Sequence, residues 1–297
     1  MSASAELKRF QARSQKAPAR RPADTSITAR HKGKLAHGFA QRAWAALAPW
    51  ALPIVLIAAW EASSQLGLIP ARILPAPSQV GTAFWESAKS GALFHHAAIS
   101  TARALKGLVL GGAIGFVLGV LTGVSRAAEA LLDSSLQMLR NVPHLAIIPL
   151  VILWFGIDEE AKIFLVAIGV FFPIYLNTFH GIRNVDKGLI EMARVYGLSQ
   201  SALFWRVILP GALPPVLVGL RYSLGIMWLT LIVAETISAS AGIGYMTMNA
   251  REFLQTDVVL LGILIYAALG KLADVFTRAI ERRALSWHPS YQAAREA

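Results

Sequence analysis

The chain has 297 residues, 55% hydrophobic and only 15% charged, where a soluble domain carries about a quarter of its residues as charges. Those charges crowd into the first 42 residues, a few short loops and the last 27, which excludes both a soluble enzyme and a soluble domain with one anchor. The net charge of +11 falls mostly on these flanks, and the absence of Cys excludes disulfides, thiolate metal sites and cysteine nucleophiles.

Residues 1–43 hold ten Lys and Arg between Lys8 and Arg42, mixed with Ala, Pro, Ser and Gln and without a periodic apolar face. They are predicted to form a disordered basic cytoplasmic tail that holds the following span against anionic headgroups. Nucleic-acid binding is not expected of it. It is also too long, and lacks the small-residue cleavage site, for a signal peptide.

A polytopic membrane domain is predicted over 44–285, followed by a cytoplasmic C-terminal tail over 286–297. Runs of about 20 apolar residues are long enough to cross a hydrocarbon core as helices. Six spans follow in order: about 44–66, 100–124, 130–155 (kinked by Pro143 and Pro149), 161–181 (with Pro173 inside), 213–234 and 258–280. Between the first two, Pro77 and Ser78 suit a helix start, and Val80, Phe84 and Trp85 suit an interfacial face. His95 and His96 are adjacent and splay apart on a helix, so no metal site is expected. Gly107, Gly111, Gly115, Gly119 and Gly123 recur every four residues along one face of the second span, a stripe for close helix packing within or between subunits.

Orientation follows from the 28 Lys and Arg. The tail, Arg126, then Arg183, Lys187, Arg194 and Arg206, then the five from Lys271 onward fall on one side. Only Arg72, Lys89, Lys162 and Arg251 fall on the other, and the remaining four lie in or near spans. The positive-inside rule makes the first side cytoplasmic, so both termini and a loop over about 182–212 face the cytoplasm.

That loop is the most informative segment. Asp186 suits the cap of a short helix through Ala193 that stops at Gly197, and Ser199 or Ser201 suits the start of a second, ended by Pro210. The result is a compact helix–Gly–helix knob, placed to transmit force from a cytoplasmic partner. Glu191-Met192-Ala193, three residues, Gly197, nine residues, then Val207-Ile208-Leu209-Pro210 resembles the EAA loop of binding-protein-dependent ABC importer permeases. Met192 and Val207 depart conservatively from that pattern. The segments 138–150, 154–159, 172–175, 180–184, 228–237 and 251–257 are similar to the branch that imports sulfonates, nitrate and related small anions, and within it to the aliphatic-sulfonate permeases.

The resemblance implies an all-α type I ABC importer permease fold with six transmembrane helices in the bacterial inner membrane. It further implies a homodimer bound to two cytoplasmic ATPase subunits and served by a periplasmic or lipid-anchored binding protein. ATP and Mg would be bound by the ATPase, with no cofactor in this chain. Glu191, Ala193, Gly197, Leu209 and Pro210 would then form the ATPase-coupling element. Cargo would be an aliphatic sulfonate, with taurine, nitrate or another small anion as the alternative. An ion-coupled secondary transporter would need inverted repeats and midplane acids, and neither is evident.

Arg140, Asn141, Asn177 and Arg221 are polar groups at membrane depth and candidates for the translocation pathway. A charge there usually faces protein or water, and a guanidinium holds a sulfonate through two parallel N–H bonds. Snorkelling or pairing with Glu235 is the alternative for the two arginines. Glu235, near the outer end of the fifth span, suits a gate or a structural partner. Catalysis is not expected: no phosphate-binding Gly-x4-Gly-Lys-Ser/Thr loop is present, since Gly270-Lys271 lacks the first Gly. No carboxylates form a general acid–base pair.

Overall fold

The computed structural model describes residues 49–287. The expected basic tail (1–43), the start of the expected first span and residues 288–297 lie outside the described residues. Two units are distinguished, one ending at Ala59 and one beginning at Trp60. The described part of the first unit is helical, and the helix continues to residue 65 as α1, here 49–65.

In the second unit, α2 (Pro77–Lys89) starts with Pro in its first turn, where the missing N–H costs no helical bond. Ser78 anchors this start by donating to Glu61, from its N at 3.0 Å and its Oγ at 2.7 Å. Val80 and Ala83 are buried against Leu261, whereas Phe84 and Trp85 are exposed. Val80 therefore belongs to the core and not to the expected interfacial face.

Helix α3 (Ala92–Val124) follows a left-handed Gly91, and α4 (Arg126–Arg140) is capped by Ser125. A 3-10 turn (His144–Ile147) then leads into α5 (Ile148–Phe155), which left-handed Gly156 ends. Helix α6 (Glu159–Arg183) contains Pro173. After α7 (Lys187–Val195) and α8 (Gln200–Leu203), a π turn (Phe204–Ile208) runs into α9 (Leu209–Ser238). Helices α10 (Ile243–Glu252) and α11 (Thr256–Ala284) complete the unit. No strand occurs among the described residues.

Among the described residues, four helical stretches are long and apolar enough to cross a membrane: Ala92–Val124, Glu159–Arg183, Gln200–Ile237 and Thr256–Ala284. The shortest, 25 residues, reaches about 37 Å at 1.5 Å per residue, against a hydrocarbon core of about 30 Å. The expected third span is no single kinked helix. It consists of α4 and the segment His144–Phe155, bent by 81°. Pro143 biases Val142 away from helical backbone, so the chain breaks at 141–143 before it resumes.

The glycine stripe explains how closely α3 and α6 meet. All five glycines are buried, and each Cβ built on them would collide with α6. Gly107 would meet Val166 Cγ1 at 2.5 Å, Gly115 the Phe171 oxygen at 2.6 Å, Gly119 Thr178 Cβ at 2.7 Å and Gly123 Ile182 Cβ at 2.9 Å, while Gly111 lies against the Ala167 carbonyl. The stripe is a seam within one subunit. Across α6, the opposite face meets α9 by the same device: a Cβ on Gly219 would lie 2.9 Å from the Pro173 oxygen. The buried cluster of Ala104, Val166, Val170, Met227, Leu231 and Ile243 then ties α3, α6, α9 and α10 together.

Candidate functional site

At one end of the bundle lies the loop between α6 and α9. Asp186 Oδ1 accepts from Gly188 N at 2.8 Å and starts α7, and Ser199 Oγ accepts from Ala202 N at 3.3 Å and starts α8. Between them Gly197 has φ +75°, and the Leu198 N–H returns to the Ala193 oxygen at 3.1 Å, the bond that closes a helix over a left-handed residue. A side chain at Gly197 would have open space, so only backbone strain, about 1 kcal/mol, opposes substitution there.

Helix α7 is two-faced in an unusual direction. Ala193 is buried, while Leu189, Met192, Val195 and Tyr196 are exposed, Val195 at 87% and Tyr196 at 78%. Glu191 is exposed among them. An apolar patch of this kind beside a charged rim is the composition of a docking surface. Pro210 differs from expectation. Pro210 does not end the second short helix; the helical path runs from Gln200 through the π turn into α9. Pro210 has no N–H, and its ring crowds the carbonyl four residues back, so the backbone widens over Phe204–Ile208 to admit it.

About 30 Å away along α3, by its 1.5 Å rise, lies a buried ionic network. Glu235 is 1% exposed and Arg103 3%. Arg103 Nη1 donates to Glu235 Oε1 at 2.7 Å and to the Ala241 oxygen at 2.5 Å. The second carboxylate oxygen accepts from Tyr266 OH at 2.8 Å and Gly244 N at 2.9 Å, and Ser100 Oγ lies 2.8 Å from both oxygens. Arg103 turns its other edge to Glu159, with Nε donating at 2.6 Å and Nη2 completing a bidentate pair. His96 Nδ1 accepts from Gly242 N at 3.1 Å, and Lys162 Nζ donates to the Ile157 and Asp158 oxygens at 2.9 and 3.1 Å. Five helices, α3, α6, α9, α10 and α11, are thus fastened at one end through a single carboxylate and its partners. Gly242 and Gly244 are required there, because a Cβ at Gly244 would lie 2.5 Å from Glu235 Cβ.

The residues at membrane depth separate into two groups. Arg140 and Asn141 are exposed at the 81° elbow, and Arg140 has no ion pair among the described residues. They sit beside an apolar cleft of about 320 Å³ that includes Leu139, Val142 and Phe172. Asn177 instead donates to the Pro173 oxygen at 2.8 Å and packs on Gly219. Arg221 pairs with Glu281 and lies 4.0 Å from Asp274, so neither arginine pairs with Glu235. Arg103 escaped the sequence reading. It stood unremarked among cations in or near spans, although an Arg within an apolar run needs a carboxylate partner.

Residues 111–286 match the family described as binding-protein-dependent transport system inner membrane component. The chain is 63% identical over 245 residues to the putative aliphatic sulfonates transport permease protein SsuC of Escherichia coli (strain K12), covering 82% of this chain and 93% of that protein. It is 52% identical over 241 residues to the protein of that name in Bacillus subtilis (strain 168), covering 81% and 87%. It is 38% identical over 243 residues to the taurine transport system permease protein TauC of E. coli, covering 80% and 88%. Among solved structures, the fold is similar to that of an amino acid ABC transporter with histidines, at TM-score 0.52 and 16% identity over 66% of this chain and 97% of that one.

Proposed function

This chain belongs to the binding-protein-dependent transport system inner membrane components, and from that membership we propose that it is the permease through which an ABC importer brings aliphatic sulfonates into the cytoplasm. The observation that carries the substrate is the 63% identity over 93% of a relative described as an aliphatic sulfonates permease, against 38% for the taurine relative. ATP hydrolysis belongs to a separate subunit. The importer comprises two copies of this chain, two cytoplasmic ATPases and a binding protein that delivers cargo on the opposite face, with both termini of this chain in the cytoplasm.

Within that assembly, α7 is the coupling element. Leu189, Met192, Val195 and Tyr196 form the apolar contact with the ATPase, and Glu191 supplies the charged rim. Ala193 seats the helix, Gly197 turns the chain, and Leu209 and Pro210 lead the force into α9. Arg140 and Asn141, exposed at the elbow, line the anion path. Arg140 offers a guanidinium free to hold a sulfonate by two N–H bonds.

Uptake of labelled ethanesulfonate, with taurine and sulfate in parallel, tests the reading in cells deleted for this gene and complemented with it. Ethanesulfonate uptake is expected to require this chain, its ATPase and ATP; loss of taurine uptake alone would move the cargo to taurine. Val195→Asp is expected to leave the amount of permease in the membrane unchanged. It should weaken ATPase co-purification by about thirtyfold, the loss typical of a central apolar contact worth about 2 kcal/mol. Normal co-purification would remove α7 from the coupling role. Arg140→Ala is expected to lower uptake with the complex intact, and unchanged uptake would exclude Arg140 from the path.

A further inference from the structure

At the root of the coupling loop, the ends of α3 and α6, the start of α4, the length of α7, and α8 with Ile208 line a cleft of about 400 Å³. Its charged lining is one-sided: Arg126, Arg183, Lys187 and Arg194 against Glu191. Arg183 is held by Glu129, yet its Nε is buried and has no hydrogen-bond partner among the described residues. Arg126, Lys187 and Arg194 have no ion pair among the described residues.

Two of these cations stand where the fold gains nothing from them. Arg126 is the first residue of α4 and Lys187 the first of α7, the helix ends at which aligned peptide dipoles favour an anion and oppose a cation. Four cations around one cleft, two placed against a helix dipole and one with an unspent donor, are the complement of a phosphate ester. The depth of the cleft narrows the source. It is lined by Gly123, Val124 and Ile182, from the last turns of two helices long and apolar enough to cross a membrane, and the ends of such helices lie at the level of the lipid headgroups.

We propose that this cleft binds the phosphate of an anionic phospholipid headgroup, which bridges the ends of α3 and α6 to the base of α7. The lipid then braces the coupling helix against the spans that it drives. The cleft requires only that α3 and α6 cross the membrane, and so stands whatever the cargo.

The test is native mass spectrometry of the permease–ATPase complex extracted from membranes containing phosphatidylglycerol. The wild type is expected to retain phosphatidylglycerol in preference to phosphatidylcholine. The double variant Arg126→Gln/Lys187→Gln is expected to lose it by about thirtyfold, about 1 kcal/mol for each cation near an anionic surface. Arg206→Gln, a loop cation outside the cleft, is expected to retain lipid as the wild type does, and co-purification of the ATPase shows that each variant is folded. Equal retention by the double variant would overturn the proposal. So would displacement of the lipid by inorganic phosphate, which would make the occupant a soluble phosphate. Retention by the permease alone that vanishes once the ATPase is bound would give the cleft to an acidic segment of that subunit, and would overturn it equally.

Discussion

Glu235→Ala is expected to deplete the permease from the membrane rather than to tune its transport. Removing the carboxylate leaves the Arg103 guanidinium, 3% exposed, without its innermost partner, and breaking a buried pair from one side costs about 3–5 kcal/mol. The N–H of Gly244 and the Tyr266 hydroxyl lose their acceptor in the same step. That sum is comparable to the stability of an ordinary domain. Arg103→Ala should be equally severe.

The outer arm of the same arginine supplies a contrast. The Glu159 side chain is 53% exposed, so Glu159→Ala removes a partly solvated pair, worth about 1 kcal/mol or less. Tyr266→Phe removes one hydrogen bond to a charged group, about 1.5–3 kcal/mol. The fraction of monodisperse protein after graded heating in detergent should rank Glu235→Ala and Arg103→Ala lowest, Tyr266→Phe between, and Glu159→Ala nearest the wild type. Wild-type heat resistance of Glu235→Ala would show that the network does not hold these five helices together.

The second large effect is expected at Gly111. A Cβ there would occupy the space of the Ala167 carbonyl, a backbone group that cannot rotate aside, so Gly111→Val must push α3 off α6 along much of their length. Overpacking in a tight core costs about 1–3 kcal/mol when side chains can yield, and here the obstacle is main chain, so the cost exceeds that range. Gly111→Val should therefore fail to accumulate. Gly81→Ala is the matched control: its Cβ would meet nothing within 4 Å, and helix propensity makes it neutral or slightly stabilising, by up to about 1 kcal/mol. Equal accumulation of the two variants on membrane immunoblots would mean that the seam is not a close contact.

Much of this was legible in the sequence because the signals were local. The apolar runs announced the spans, the four-residue step announced the seam, and Gly197 after α7 announced a left-handed turn. What escaped depended on partners distant in the chain or on geometry that composition does not encode. Arg103 and Glu235 are 132 residues apart. Arg221 was a candidate partner for Glu235 by charge alone, yet it finds Glu281 at its own depth on α11. The break at 141–143 was hidden because Pro is tolerated in membrane helices that merely bend. Val80 was assigned to the interface because nothing local announced Leu261 above it.

The glycine seam also sets which genetic lesions can be repaired. At Gly107 and Gly123 the atoms facing a new methyl group include the side chains of Val166 and Ile182. Second-site suppressors of substitutions there should arise at those two positions, by trimming the facing side chain. At Gly111 and Gly115 the nearest facing atoms are all main chain, belonging to Ala167, Phe171 and Tyr175. Every amino acid carries those atoms, so no exchange on α6 makes room. A selection for restored growth on a sulfonate should recover only true revertants at these two glycines. At the outer pair it should return compensated doubles, a difference in mutational escape written by which part of the neighbour each glycine touches.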